Sequence, residues 1–177
     1  LGTLLHENNL RPADIVSIEV HTFDRALRLN NYPDPDNLES AQYSIPFCLA
    51  VDAVEGRGAL LPLRISVLHK PDVVALAERV SLHSAPELDQ LFPEQTAAEV
   101  IVRTERGRFV STCHHPLGDR DFPMDWEMLV QKFREIADGL LSEAMQDSII
   151  EAVQSLPSRG PAELAACLGG RGTESQS

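Results

Sequence analysis

Glu39-Ser-Ala-Gln-Tyr-Ser-Ile-Pro-Phe-Cys-Leu-Ala-Val-Asp-Ala-Val-Glu-Gly56 is the longest nearly uncharged segment of the chain, and it lies between two sheet-like halves. It reads as a central buried helix. Ser44 is placed to cap the amides of the first turn, Pro46 costs little where no intrahelical donor is needed, and Gly56 suits the left-handed residue that ends a helix. Between Ile45 and Val54 the only charge is Asp52. A helix apolar on nearly every face has to be packed on nearly every face, so other elements must surround it.

The flanks supply those elements. Leu4 to Asn9 reads as the end of a helix entered from upstream, and because the chain starts with Leu1 rather than Met, a fragment of a longer protein is expected. In Ile15-Val-Ser-Ile-Glu-Val-His-Thr-Phe23 the residues Val16, Ile18 and Val20 alternate with Ser17, Glu19 and His21, the period of a strand with one buried face. Asn30 to Asn37 holds too many breakers for regular structure and reads as a surface loop. Leu60 to Leu68 is apolar without a clear period and fits a short helix or a strand equally. Pro71 to Glu78 opens like a helix, Arg79 to Ser84 alternates like a strand, and Pro86 to Phe92 has room for one helical turn. Thr96–Thr104 and Arg108–His114 flank Glu105-Arg-Gly107, a hairpin signal with glycine where positive φ is needed. About four mostly antiparallel strands, with the central helix on one face, make an α+β fold.

Beyond Pro116 the character changes. His115 to Met124 is a loop ending at Asp125, a good N-cap. Trp126, Leu129, Phe133, Ile136, Ala137 and Leu140 then recur at intervals of three and four, the stripe of an amphipathic helix. A second helix is expected from Ser142 to Leu156, broken by Pro157-Ser-Arg-Gly-Pro161, and a short third helix from Pro161 to Leu168. The organisation expected is therefore 1–116 as a mixed sheet-and-helix unit, 117–168 as an all-helical arm, and 169–177 as a disordered tail without apolar residues.

Composition narrows the function. A net charge of −12 over 177 residues argues against nucleic acid and anionic membrane surfaces as partners, both of which need a basic face. No apolar run approaches the roughly 18 residues of a membrane-spanning helix, and no signal peptide is visible. Cys48, Cys113 and Cys167 are far apart, odd in number and set in apolar or strand-like surroundings, which reads as reduced, buried thiols in a cytoplasmic protein. His114-His115 is the one adjacent histidine pair, but strand neighbours point to opposite faces and no third ligand stands at metal-binding spacing. Ser44 lies outside any Gly-x-Ser-x-Gly pattern, Cys48 sits in an apolar helix where nothing stabilises a thiolate, and the glycines form no phosphate loop. Residue chemistry alone gives no catalytic constellation.

Three stretches carry a resemblance. Asn9-Leu-Arg-Pro-Ala-Asp-Ile-Val-Ser-Ile-Glu-Val20, Ser40-Ala-Gln-Tyr-Ser-Ile-Pro-Phe-Cys-Leu-Ala-Val51 with Gly56 behind it, and Gly118-Asp-Arg-Asp-Phe-Pro-Met-Asp-Trp-Glu-Met-Leu-Val-Gln-Lys-Phe133 resemble, in order and spacing, the C-terminal part of the MmgE/PrpD family. That family includes 2-methylcitrate dehydratase, cis-aconitate decarboxylase and iminodisuccinate epimerase. The resemblance implies a two-domain enzyme with a large helical domain built from N-terminal residues and a returning C-terminal arm, and a smaller α/β domain between them. It implies chemistry on a polycarboxylate in the cleft between the domains, where a base removes a proton next to a carboxylate while cationic and hydroxyl groups hold the acids.

On this resemblance the main catalytic residues belong upstream of Leu1, and the chain alone is expected to be inactive. The reaction expected of the parent is loss of water from a tricarboxylate, with no metal and no cofactor; an isomerase or a decarboxylase uses similar proton chemistry. One position carries over: where some members have a tyrosine whose hydroxyl reaches the site, this sequence has Phe47. Ser44, three residues earlier, falls on the same helical face and is the second residue expected to line the cleft. The partners implied are the small polycarboxylate, the N-terminal helical domain and a second copy of the chain in a homodimer. The rival from another class is a non-catalytic α+β module whose helical arm docks a partner.

Overall fold

The computed structural model describes residues 1–169. They form two compact units, one spanning Leu1–Pro123 and one beginning at Met124.

The first unit is α+β. Its short leading helix α1 spans Gly2–Glu7, and the strands are β1 (Ile15–Thr22), β2 (Val80–Ser84), β3 (Ala98–Thr104) and β4 (Gly107–Cys113). They lie in the order β2-β1-β3-β4. β3 pairs with both β1 and β4 in antiparallel sense, whereas β1 and β2 run parallel. The parallel pair follows from the length of chain between those two strands, which is long enough for a crossover. That crossover contains α2 (Asp24–Leu27), α3 (Leu38–Gln42), α4 (Ile45–Val54) and α5 (Pro71–Ala77); the single turn α6 (Pro86–Asp89) follows β2. Among the described residues no helix is long and apolar enough to cross a membrane.

One sheet face is the core. Ile18, Val20 and Val102 pack with Phe47, Ala50 and Val51 of α4 and with Val73, Leu76 and Ala77 of α5. The opposite face is polar, with Arg103 donating to Glu19 at 2.7 Å and the rings of His21 and His83 stacked 5.1 Å apart. Thr22, buried at the end of β1, satisfies its hydroxyl by donating to the Ala97 carbonyl at 2.9 Å.

Several local expectations need correction. Val16 does not join the buried face of β1: the register slips between Ile15 and Ser17, Ile15 turns inward, and Val16 is left 53% exposed. A bulge of this kind flips every side chain on one side of it, which alternation alone does not reveal. Leu60–Leu68 is neither helix nor strand. It forms a bridge between Leu60 and Leu63 and a 3-10 turn over Ile65–Val67, and only Val67 of the run is buried, so a single inward anchor without a repeating pattern suffices here. Gly56 has positive φ, at 86°, but its ψ of 161° is extended rather than left-handed helical; Glu55 caps α4, and Gly56 leads into a further 3-10 turn. The cysteines are not uniformly buried: Cys113 is exposed, and Cys48 and Cys167 are half-buried.

The chain enters β1 through a 3-10 turn over Pro12–Asp14, closed by its own side chains. The Arg11 amide donates to Asp14 Oδ2 at 2.9 Å and its guanidinium to Oδ1 at 2.8 Å. The Arg11 guanidinium, and after it the Arg11 amide, hold the Asp14 carboxyl down at about 2, against an ordinary value of 3.8. A carboxyl whose pKa is lowered by folding contributes stability above its unfolded value and loses it as pH falls through the folded one. The contribution of this exposed clip is therefore expected to be complete above the ordinary carboxylate pKa and to fade between there and about 2. Carboxyl-carbon NMR titration reads this directly, and a midpoint at the ordinary value would remove the clip from the account.

The second unit is helical. α7 (Trp126–Ala137) is capped by Asp125, whose carboxylate accepts from the Met128 amide at 2.8 Å; α8 spans Glu143–Arg159 and α9 spans Ala162–Gly169. Arg134 ties α7 to α8 through Asp147 at 2.7 Å. Gln146, buried, donates to the Leu141 carbonyl at 3.0 Å. Pro157 does not break α8 as expected. It lies in the last turn, where only the bond to one carbonyl is lost, and the helix continues to Arg159 before Gly160, with φ 74°, ends it. Ile149 is buried, whereas Trp126, Leu129, Ile136 and Leu140 remain exposed on α7 and just beyond it. Of the tail expected to be disordered, Gly169 closes α9 and residues 170–177 lie outside the described residues.

Candidate functional site

The side of α4 that turns away from the sheet is not packed all round. Pro46, Phe47, Ala50 and Val51 are buried, but Cys48, Leu49, Asp52 and Ala53 are only half-covered and form the floor of a cleft of about 1000 Å³. Leu5 and Leu10 make one wall, and Leu29 and Leu60 stand at other margins. The expectation of a helix packed on every face is corrected here: its apolar residues exceed what this unit covers.

Asp52, the one charge within α4, has a structural task. Its carboxylate accepts from the Gly2 amide at 2.6 Å and so anchors the start of α1 on α4. The approach is close enough that a Cβ at position 2 would stand 2.9 Å from Asp52 Oδ1, so a larger residue there would have to push the carboxylate aside. With Asp52 so engaged, the polar side chains on the cleft without a partner among the described residues are Thr3, His6, Gln42, Tyr43 and Arg57.

Ser44 and Phe47 are placed differently from one another and from the cleft surface. Phe47 has no exposed area and is the largest of the fully buried side chains. Ser44 borders the cleft but is itself fully buried. Its hydroxyl donates to the Tyr32 carbonyl at 2.6 Å and accepts from the Phe47 amide at 3.2 Å. Asn31 Oδ1 accepts from the Ile45 amide at 3.1 Å. Since Pro46 has no amide hydrogen, the first-turn donors of α4 are all engaged, and this helix end offers no open anion site. The same contacts pin the Asn30–Asn37 loop against α4. His69 adds a contact from the far side, with Nδ1 2.8 Å from Asp34.

Tyr43 is the residue that sequence reasoning passed over. It is 54% exposed on the cleft margin, and among the described residues its hydroxyl has no hydrogen-bond partner. A signal was present: a residue just before an N-cap stands outside the helix and escapes its packing, so an aromatic ring there is free to face a cleft. Cys48, by contrast, donates to the Ala41 carbonyl at 3.4 Å, and burial pushes its thiol pKa up, which keeps it protonated and unreactive. His115 Nδ1 is buried without a partner and lies 3.9 Å from Asp119, but no three potential ligands converge on a metal position among the described residues.

The sequence model of the MmgE/PrpD C-terminal domain matches residues 1–157 of this chain. The chain belongs to the MmgE/PrpD family. The match covers the whole first unit and continues into the helices after it, ending at Pro157 in the last turn of α8. The MmgE/PrpD family includes dehydratase-like lyases.

Proposed function

We propose that this chain is the C-terminal portion of a 2-methylcitrate dehydratase-like lyase, which acts on a polycarboxylate by abstracting a proton beside a carboxylate and expelling water. Membership of the MmgE/PrpD family over residues 1–157 carries the reading. In the reaction the C–H bond gives its proton to a base, the electron pair forms a C=C bond conjugated with the carboxylate, and the hydroxyl leaves with a proton as water. The base is assigned to the helical domain of the parent enzyme, so residues 1–177 alone are expected to be inactive.

The cleft under α4 supports a role in holding the substrate. Tyr43 offers a free phenol beside an apolar floor, and Arg57 offers a cation for a carboxylate. Ser44 and Phe47 act from beneath: they fix the first turn of α4 and the loop whose positions set where Tyr43 stands.

The test joins the chain to a helical domain of the family and follows 2-methylcitrate by the ultraviolet absorbance of the new conjugated double bond. Turnover without added metal is expected. Tyr43→Phe should then lower kcat/KM about ten- to a hundred-fold, the range for losing one hydrogen bond to a charged group. A folded, joined protein with no turnover of 2-methylcitrate would remove that substrate, and full activity in Tyr43→Phe would remove the phenol.

A further inference from the structure

Residues alternate along a strand, so with Ile18 and Val20 in the core, Glu19 and His21 of β1 project from the opposite face of the sheet. In the parallel register Glu19 stands beside Ser81 of β2, and His21 stands beside His83. On its other flank His21 faces Glu99 of β3. Four polar side chains therefore close a two-by-two block on the β1–β2 pair, with a second carboxylate at its border.

The two histidines of the block are engaged differently. His83 Nε2 lies 3.0 Å from the Ser81 hydroxyl. His21 Nε2 is buried and has no hydrogen-bond partner among the described residues. Glu19 Oε2 stands 3.9 Å from it, too far for a hydrogen bond, and Arg103 restrains Glu19 from closing the gap by donating to its other oxygen at 2.7 Å. Arg103 chiefly holds the Glu19 carboxyl below its ordinary value, and the charges of His21 and His83 add to the effect, so both rings lie within the field of one carboxylate. A buried ring nitrogen left unpaired costs free energy, which a ligand there would recover. The ring centroids are 5.1 Å apart, and two imidazoles sharing one ion at about 2.0–2.1 Å per nitrogen stand roughly 5 Å apart, centre to centre.

We propose that His21 and His83 form a two-nitrogen site for a divalent transition-metal ion, which bridges β1 and β2 on the face of the sheet turned away from α4. The chain supplies two ligands rather than three, and water completes the coordination. Glu19, oriented by Arg103, and Glu99 beside it supply the negative charge that favours a cation and the oxygens that accept from its waters. On binding, His83 gives up its contact with Ser81 and turns that nitrogen to the ion. Imidazole ligands suit copper, nickel and zinc, and at such a site affinity is highest for copper(II). β2 is only five residues long and lies at an edge of the sheet, so the ion would tether a short strand to its neighbour. The core separates this block from the cleft under α4, and the site takes no part in the reaction proposed there.

Copper(II) chloride added to the chain carrying Cys113→Ser, which removes an exposed thiol, tests the site. Electron paramagnetic resonance should show one copper per chain bound by two imidazole nitrogens, and nickel(II) and zinc(II) should compete for it more weakly. His21→Gln and His83→Gln should each weaken copper binding by at least about tenfold in calorimetry, since losing a ligand exceeds the loss of an outer partner. Their circular dichroism should be unchanged. His114→Gln, which removes one of the adjacent histidine pair, should leave copper binding unaltered. A spectrum with fewer than two imidazole nitrogens, binding that survives both glutamine variants at positions 21 and 83, or binding lost with His114→Gln would each overturn the proposal. The first of these outcomes needs no change at either histidine and so does not depend on how the variants fold.

Discussion

Phe47→Ala is expected to lower the stability of the Leu1–Pro123 unit by about 3–5 kcal/mol, the range for removing a buried aromatic ring from a packed core. Phe47 is wholly buried within the cluster that joins α4 to the sheet, so the cavity left would be lined by residues of both layers. Domains are stable by only about 5–15 kcal/mol, and the variant should therefore sit at the margin of folding at ordinary temperature. Urea denaturation followed by far-ultraviolet circular dichroism measures it. Phe47→Tyr separates the core role from a substrate-facing one. If the ring only fills the core, the added hydroxyl finds no partner and costs about 1–3 kcal/mol. A Phe47→Tyr variant as stable as the parent would mean that the hydroxyl reaches solvent or a polar group.

The second large effect is expected at Ser44. Ser44→Ala removes an N-cap and the donor to the Tyr32 carbonyl, a part-buried bond made from a fully buried hydroxyl. The two losses together are expected to cost about 1.5–3 kcal/mol, with the capping part near 1 and the lost bond to Tyr32 supplying the rest. Asn37→Ala is the natural comparison, because the Asn37 side chain caps α3 by accepting from Ser40 at 2.8 Å but does so in solvent. Its cost should stay near about 1 kcal/mol or below. Equal effects at the two positions would show that the contact from Ser44 to Tyr32 contributes little, and that the Asn30–Asn37 loop is held by Asn31 and His69 instead.

Much of the architecture was legible locally. The caps at Ser44 and Asp125, the β3–β4 hairpin around Gly107 and the α5–β2 succession all depend on residues within a few positions of one another, and short-range chemistry was enough to place them. The bulge at Val16 and the non-repeating Leu60–Leu68 run were not legible, because each is decided by what the chain packs against rather than by its own pattern, and the continuation of α8 through Pro157 was missed because a proline in a last turn removes only one bond. The candidate site was the least legible part. Resemblance pointed to Phe47 and Ser44, whereas the free phenol on the cleft belongs to Tyr43, only one residue before Ser44.

By itself the sequence determined the α+β class, the place of the central helix and the three stretches that resemble the MmgE/PrpD family, since all of these rest on periodicity, capping residues and ordered motifs. Tertiary structure alone decided which side of α4 is covered, that Asp52 is engaged by the Gly2 amide, and that β1 and β2 run parallel while β4 forms the other edge of the sheet. The physical reason is range: a helix or a turn is stabilised by neighbours three or four residues away, whereas an open cleft or an unpaired edge is defined by which distant segment fails to reach it.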